Sequence, residues 1–572
     1  MTTTRMLGGR AIAEMVRRLG PAPIFGMGGF QLLPFYEGIR ELGLQHYLIN
    51  DERSGAFAAD AYARVTGRPG IVDATQGPGA TNLVTGLVES LNAGVPLIAI
   101  IGDTNRAYSK RNLTQEARQS DILSPACKEL IRIDDGRRIP ELMVRAYETA
   151  LAGRPGPVVV SVPEDVAHEE YDFTGEDLDL SLPRITVPLY RTRPDRSEIE
   201  SIADTLAKAQ RPVILVGGGI HLSMAYSELK LLADKLGAPI AHTMSGKGSI
   251  SCVDPLSVGV FGRYSRIANE LIDESDFLLV VGCKLGEIAT RRFTLINRKV
   301  TVAQLDVLPE ELGRTMAISF RVACDAREGL RDLLNLLDAR PSLDRSAYVD
   351  EIVGRNKTWQ EEVLPKLQSS EAPIGVARLL HEINLAMPAD GILIADGGFA
   401  GHWSGLLYNT QQSGRGYIAD RGFASIGYGL PAAIGAVMGA PDRAVVALTG
   451  DGGFNMSLGE LETARRENLP LTVVVLNNAA SGYVKALQHL FFGGKYESAD
   501  LFELNYARIA QEMGCRGIRV EEPEQLAGAL SHGICETSVP TVIDVVVTRD
   551  PAKMLPGVDD RAASYKKGDR IA

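Results

Sequence analysis

The sequence lacks the marks of a membrane, secreted or nucleic-acid-binding protein. No stretch offers about 18 apolar residues in a row, and the opening MTTTRMLGGRAIAEMVRRLG holds no uninterrupted apolar core of the signal-peptide kind. No membrane span is expected, and the location expected is cytoplasmic. The six cysteines (Cys127, Cys252, Cys283, Cys324, Cys515, Cys535) include no CxxC pair, so neither a disulfide framework nor a zinc site is signalled, and they read as small core residues. Positive charge is not in excess. The 60 Lys and Arg against 71 Asp and Glu leave a net charge of -11, which argues against nucleic acid and anionic membranes and favours a small-molecule partner. No low-complexity tract interrupts a composition of 45% hydrophobic and 23% charged residues, so nearly all of the chain should fold.

What is present is a rhythm. At 572 residues the chain exceeds a single core. Apolar runs of strand length alternate with helical patterns: PIFGMGGF, GIVDATQGPG, VPLIAIIGD and PVVVSVP, then RPVILVGGG, DFLLVVGCK and VTVAQLDV, then GILIADGG, AVVALTGDGG, LTVVVLNN and TVIDVVV. Continuous apolar strands between helices predict an α/β class with parallel sheets covered on both faces. The rhythm breaks near 169–195 and again near 350–373, where acidic, Pro-containing or charged segments read as linkers. Three doubly wound units follow, 1–170, 190–345 and 373–550, with a polar, basic tail at 551–572.

The stretch GDGGFNMSLGELETARRENLPLTVVVLNN, from Gly450 to Asn478, carries chemistry. Its first strand ends at Asp451 between glycines, its second at Asn477 and Asn478, and an amphipathic helix lies between. Ligands in open α/β sheets collect beyond the carboxyl ends of strands. A carboxylate and an amide there, with glycines that admit a close backbone, supply hard oxygen ligands suited to magnesium holding a diphosphate. Taken singly, GDG or NN reads as an ordinary turn; the strand-helix-strand unit between them favours one site.

GDG, 24 residues, then NN resembles the diphosphate and magnesium motif of thiamine diphosphate (ThDP) enzymes. The N-terminal INDERSGAFAADAYARVTGRPGIVDATQGPGATNLVTGL is similar to the pyrimidine-binding domain of the same family, in its acetolactate synthase branch. The resemblance covers nearly the whole chain. It implies the three-domain fold of pyruvate oxidase and acetolactate synthase: a pyrimidine-binding, a central and a diphosphate-binding domain. It implies Asp451, the Asn478 amide and the Ala480 carbonyl as Mg2+ ligands, with Gly450, Gly452 and Gly453 bringing N–H groups to the diphosphate. Glu52 would hydrogen-bond the pyrimidine nitrogen and promote the tautomer that activates the thiazolium carbon. Ile426 matches the apolar wedge that bends the cofactor, Gly28 and Gly29 the glycine loop above the thiazolium, with Phe30 beside it on the substrate side, and Gln115 a glutamine reaching into the same cavity. Because the family takes the two halves of each site from different subunits, a homodimer at minimum is implied, with a tetramer left open. In some members the central domain binds FAD or ADP.

The substrate is a keto acid if the chain follows the acetolactate synthases. Yet Tyr483 and Leu487 stand where that branch has methionine and tryptophan to select the acceptor, and Thr114 where it typically has Phe. The alternative is a 2-hydroxyacyl-CoA lyase, related to oxalyl-CoA decarboxylase, in which Arg561, Lys566, Lys567 and Arg570 of the basic tail would close over the phosphates of coenzyme A. His489 and Glu497 are then the candidate proton-transfer groups. A third reading, a noncatalytic ThDP-binding paralogue, is opposed by the intact Glu52, Asp451 and Asn478.

Overall fold

The computed structural model describes residues 3–536 and 538–557. Twenty strands make three six-stranded parallel sheets and one short antiparallel pair. The pair joins β1 (Thr3–Leu7) to β8 (Glu170–Thr174). Between them lie β2 (Ile24–Met27), β3 (His46–Leu48), β4 (Gly70–Ala74), β5 (Leu97–Asp103), β6 (Glu129–Arg132) and β7 (Pro157–Pro163), ordered β3-β2-β4-β5-β7-β6. The second sheet has β9 (Pro212–Val216), β10 (Ile240–His242), β11 (Ser257–Val260), β12 (Phe277–Val281), β13 (Thr301–Asp306) and β14 (Phe320–Ala323), ordered β11-β10-β9-β12-β13-β14. The third has β15 (Ile392–Ala395), β16 (Tyr417–Ala419), β17 (Val445–Gly450), β18 (Leu471–Asn477), β19 (Arg516–Val520) and β20 (Thr541–Val546), ordered β16-β15-β17-β18-β20-β19.

Numbered within its own sheet, the middle one reads 3-2-1-4-5-6, the order of dinucleotide-binding folds. The outer two share a different order, 2-1-3-4-6-5. All three are α/β layers whose central strands, such as LIAIIGD and LTVVVLN, are buried along their whole length. Helices cover both faces, so no polar alternation survives in those strands.

The outer sheets are not independent lobes. One apolar cluster contains Phe57, Ala58 and Ala61 from the Glu52–Thr66 helix together with Tyr428, Ala432 and Ile434 at the Gly429–Gly439 helix. Small residues let these two helices meet at backbone distance. A Cβ added at Gly435 would lie 1.8 Å from the Ala58 carbonyl oxygen. Phe57 and Tyr428 close the seam edge to face, 5.2 Å between ring centroids.

Gly435→Val should therefore cost at least about 1–3 kcal/mol in a denaturant titration. Gly354→Ala, in the exposed Ser346–Leu367 helix where an added Cβ meets nothing within 4 Å, should instead stabilise by about 0.5–1 kcal/mol.

Candidate active site

Strands β17 and β18 are paired in parallel with Gly450 beside Leu476, so their carboxyl ends open side by side. Asp451 begins the Asp451–Ser457 helix with no intervening loop. Its Oδ1 accepts from the Gly452 N–H at 2.8 Å, and the carboxyl also faces the backbone N–H groups of Asn478, Ala479 and Ala480. The chain turns there through Ala479, held at φ 51°, and the Asn478 Oδ1 accepts from Ala480 N at 3.2 Å. Among the described residues, neither the buried Asp451 Oδ2 nor Asn478 Nδ2 has a hydrogen-bond partner. Burial pushes the Asp451 carboxyl up to about 6 against these hydrogen bonds. A carboxylate oxygen left over, with an amide oxygen and a turn carbonyl nearby, fits a hard cation.

The two asparagines divide their labour. Asn477 turns inward, its Nδ2 donating to the Asp544 carboxylate on β20 and to the Leu504 carbonyl, both at 2.8 Å. Only Asn478 remains at the open edge. Of the glycines, Gly453 lies against Asp396 and Thr449, where a Cβ would come within 2.6 Å of the Asp396 Oδ2. Gly450 has open space before it, and Gly452 meets only Leu501.

On the first sheet, Glu52 is the first residue of its helix, which Asp51 caps by accepting from Arg53 N. It is 6% exposed and its Oε2 accepts from Asn82 Nδ2 at 3.0 Å. Gly79 packs on its other oxygen and on Thr75. Thr75 lies under Gly29 and donates to Gln31 at 2.8 Å, while the exposed Gln115, at φ 64°, places its Oε1 3.5 Å from the same hydroxyl. Glu52, Gly29 and Gln115 are thus gathered around Thr75. Gly28 packs against Tyr36, and Phe30 is exposed with its ring 5.8 Å from His168.

Sequence reasoning missed the support beneath this loop. Tyr36 donates to Asp73 Oδ2 at 2.6 Å and accepts from Gly29 N at 3.2 Å, while His46 Nε2 lies 2.8 Å from Asp73 Oδ1. Burial alone would lower the His46 pKa, but the Asp73 contact outweighs it and raises it. The available signal was Asp73 itself, a charge inside the apolar run GIVDA.

Ile426 is 42% exposed, on the loop after β16, and its Cγ2 packs over Gly397 and Gly398 at the end of β15. Tyr483 also lies beside Gly398, and its hydroxyl accepts from Arg263 Nη1 of the central unit at 2.6 Å. Leu487 packs against the apolar cluster behind the third sheet. His489 Nδ1 lies 3.0 Å from the Tyr496 hydroxyl, and Glu497 is exposed; no contact joins either to Glu52 or Asp451. Arg561, Lys566, Lys567 and Arg570 lie outside the described residues.

A cavity of about 420 Å³ opens at the carboxyl ends of β9, β12 and β13, lined by Gly217–Gly219, Gly282, Lys284, Asp306 and, from the third unit, Arg421. Nε and Nη2 of Arg421 are buried with no hydrogen-bond partner among the described residues. Sequence reasoning saw the glycine turns but not Arg421.

Three family patterns match the chain in order: the thiamine pyrophosphate enzyme N-terminal TPP binding domain over residues 6–122, the central domain over 199–333, and the C-terminal TPP binding domain over 396–545. The chain belongs to the thiamine pyrophosphate enzymes. Within that family it is acetolactate synthase-like. It is 31% identical to the probable acetolactate synthase large subunit of Methanocaldococcus jannaschii, over 97% of this chain and 93% of that one. It is 30% identical to the acetolactate synthase large subunit of Corynebacterium glutamicum, over 96% and 87%, and 31% identical to the acetolactate synthase of Arthrospira platensis, over 96% and 95%. These relatives do not favour the acyl-CoA lyase alternative.

The raised Asp451 pKa has a sign that can be measured. A carboxyl whose folded pKa is raised stabilises the fold below its unfolded pKa near 4, and that contribution is lost as pH rises through about 6. In cation-free protein Asp451→Asn should therefore gain about 3 kcal/mol over wild type at pH 7.5 and little at pH 4. Thermal melts with and without Mg2+ and ThDP complete the check: both together should raise the wild-type melting temperature and leave that of Asp451→Asn nearly unmoved.

Proposed function

We propose that the chain joins two 2-keto acids, decarboxylating pyruvate and adding the remaining fragment to a second keto acid, with ThDP and Mg2+ held by residues of its outer units. The observation that carries this reading is the meeting of Asp451 with the Asn478–Ala480 turn, one carboxylate oxygen buried and left over. Asp451, the Asn478 amide oxygen and the Ala480 carbonyl would hold Mg2+. Gly450, Gly452 and Gly453 admit the diphosphate beside them. Bound ThDP would supply the nucleophilic carbon and the electron sink.

The remaining steps fall to side chains. Glu52, buried against Gly79 and Asn82, would hold a proton for the pyrimidine nitrogen. Ile426, packed on Gly397 and Gly398, would support the cofactor from that edge. Gly28 and Gly29 leave the space that Gln115 and Phe30 border. Tyr483, tied to Arg263, and Leu487 would select the acceptor. The exposed apolar residues Phe423, Ile426, Met456, Val484 and Phe502 gather on segments next to the diphosphate edge. Exposed apolar residues at that edge favour its being covered by a second copy of the chain, in a homodimer at minimum with the halves of each site drawn from two chains. The 1–170, 190–345 and 373–550 units serve as pyrimidine, central and diphosphate domains. The middle sheet's 3-2-1-4-5-6 order and the cavity at its switch point, with Arg421 facing in, support FAD or ADP there. A cytoplasmic location goes with this reading.

Purified protein with ThDP and Mg2+ should turn pyruvate into acetolactate and release no formyl-CoA from a 2-hydroxyacyl-CoA. Formyl-CoA release would revive the lyase, and silence on both the noncatalytic paralogue. Glu52→Gln should lower turnover on the order of 10²–10⁴-fold, with ThDP affinity by calorimetry little changed. A flavin spectrum in the purified protein, or calorimetric binding of ADP that Arg421→Ala weakens, would identify the central occupant.

A further inference from the structure

Two buried carboxylates cross between the outer units. Glu460, 1% exposed in the unit of Asp451, accepts the backbone N–H of Asn50 at 3.1 Å and of Asp51 at 3.1 Å, the two residues just before Glu52. Thr463 donates to its other oxygen at 2.7 Å and receives the Asn50 side chain at 3.1 Å. Glu89, 0% exposed in the unit of Glu52, accepts the backbone N–H groups of Gly422 at 2.9 Å, Phe423, and Ala424 at 3.3 Å, the loop that carries Ile426. Arg64 holds the Glu89 carboxylate at 2.8 Å. Gly422 lies so close that a Cβ there would come within 2.1 Å of the Glu89 carbonyl.

The two sites correspond. In each outer sheet the carboxylate stands on the crossover between the third and fourth strands in chain order. In each it grips the segment that follows the second strand of the other sheet. A surface ion pair would not repeat in this way at two buried positions some 370 residues apart.

We propose that Glu460 and Glu89 are reciprocal positioning residues: each outer unit uses one buried carboxylate to fix the cofactor-facing segment of the other, Glu460 the turn presenting Glu52 and Glu89 the loop presenting Ile426. This rests on Glu52 and Ile426 facing ThDP. A carboxylate gripping two or three N–H groups sets backbone position to a fraction of an ångström, the scale on which catalytic geometry is won or lost.

The test uses the full chain and the variants Glu460→Gln and Glu89→Gln. Amide hydrogen exchange in the cofactor-free protein, which needs no ThDP, should rise about tenfold or more at residues 50–51 in Glu460→Gln and at 422–424 in Glu89→Gln. Each variant should leave the other segment protected. With ThDP and Mg2+, Glu460→Gln should lose on the order of 10- to 100-fold in kcat with unchanged cofactor affinity, although it lies in the diphosphate unit. Glu89→Gln should weaken ThDP activation. Unchanged exchange at 50–51, or a Glu460→Gln defect confined to Mg2+ and ThDP affinity, would overturn the proposal. Failure of wild type to bind ThDP in calorimetry would remove the cofactor reading while the exchange pattern still decides the clamps. If Glu460→Gln does not fold, Thr463→Val should move the same amides in the same direction by a smaller factor, and no movement there would count against the clamp.

Discussion

Everything at the candidate site depends on a dry charge cluster where the outer units meet. Asp60 accepts from Arg64 at 2.6 Å, from Ser90 at 2.9 Å and from the Tyr428 hydroxyl at 2.7 Å, while Arg64 reaches on to Glu89. All of these side chains are buried. Removing ions from water costs several kcal/mol each, so such a cluster holds only when every member is satisfied. Its satisfaction requires both helices at once, Glu52–Thr66 and Gly429–Gly439. The small residues between them permit the approach, and the charges fix its register.

With the register fixed, the carboxyl edges follow. Parallel strands deliver their ends to one side, and the loops there need support from outside their own sheet. The Gly28–Gly29 loop rests on Tyr36 and Asp73, the Ile426 loop on Glu89, and the Asn478 turn on Asp451. Tyr36, Glu89 and Asp451 each meet backbone N–H groups, and Asp73 braces the Tyr36 hydroxyl from the interior. Polar residues that stabilise little by themselves become the means of placing a backbone.

The eleven apolar runs read in the sequence are the inner strands, such as β5, β17 and β18, where burial on both faces leaves an unbroken signal. The short strands β3, β10, β16 and β19 gave no such run, because three to five residues carry too little periodicity and edge positions mix polar with apolar residues. The GDG and NN motif was legible because its candidate ligands lie at strand ends within one unit of sequence. Gln115 and Ile426 were reached only through resemblance, since a lone Gln or Ile has no chemistry of its own to read. Asp73, Glu89 and Glu460 were missed for a shared reason: their partners lie tens to hundreds of residues away. Arg421 was missed because a single arginine in a loop reads as a solvated charge. The double asparagine shows the reverse limit, for identical neighbours took opposite roles once the pleat turned Asn477 toward Asp544.

The first and third sheets share one strand order, and the helices that meet between them are the same crossover in each, from second strand to third. Equivalent elements in contact with one another are what a two-fold axis produces in an isologous dimer. A single chain here contains such a dimer in covalent form. A homodimer of such chains would therefore contain four related units rather than two, its exact symmetry laid over an approximate one already present within each chain.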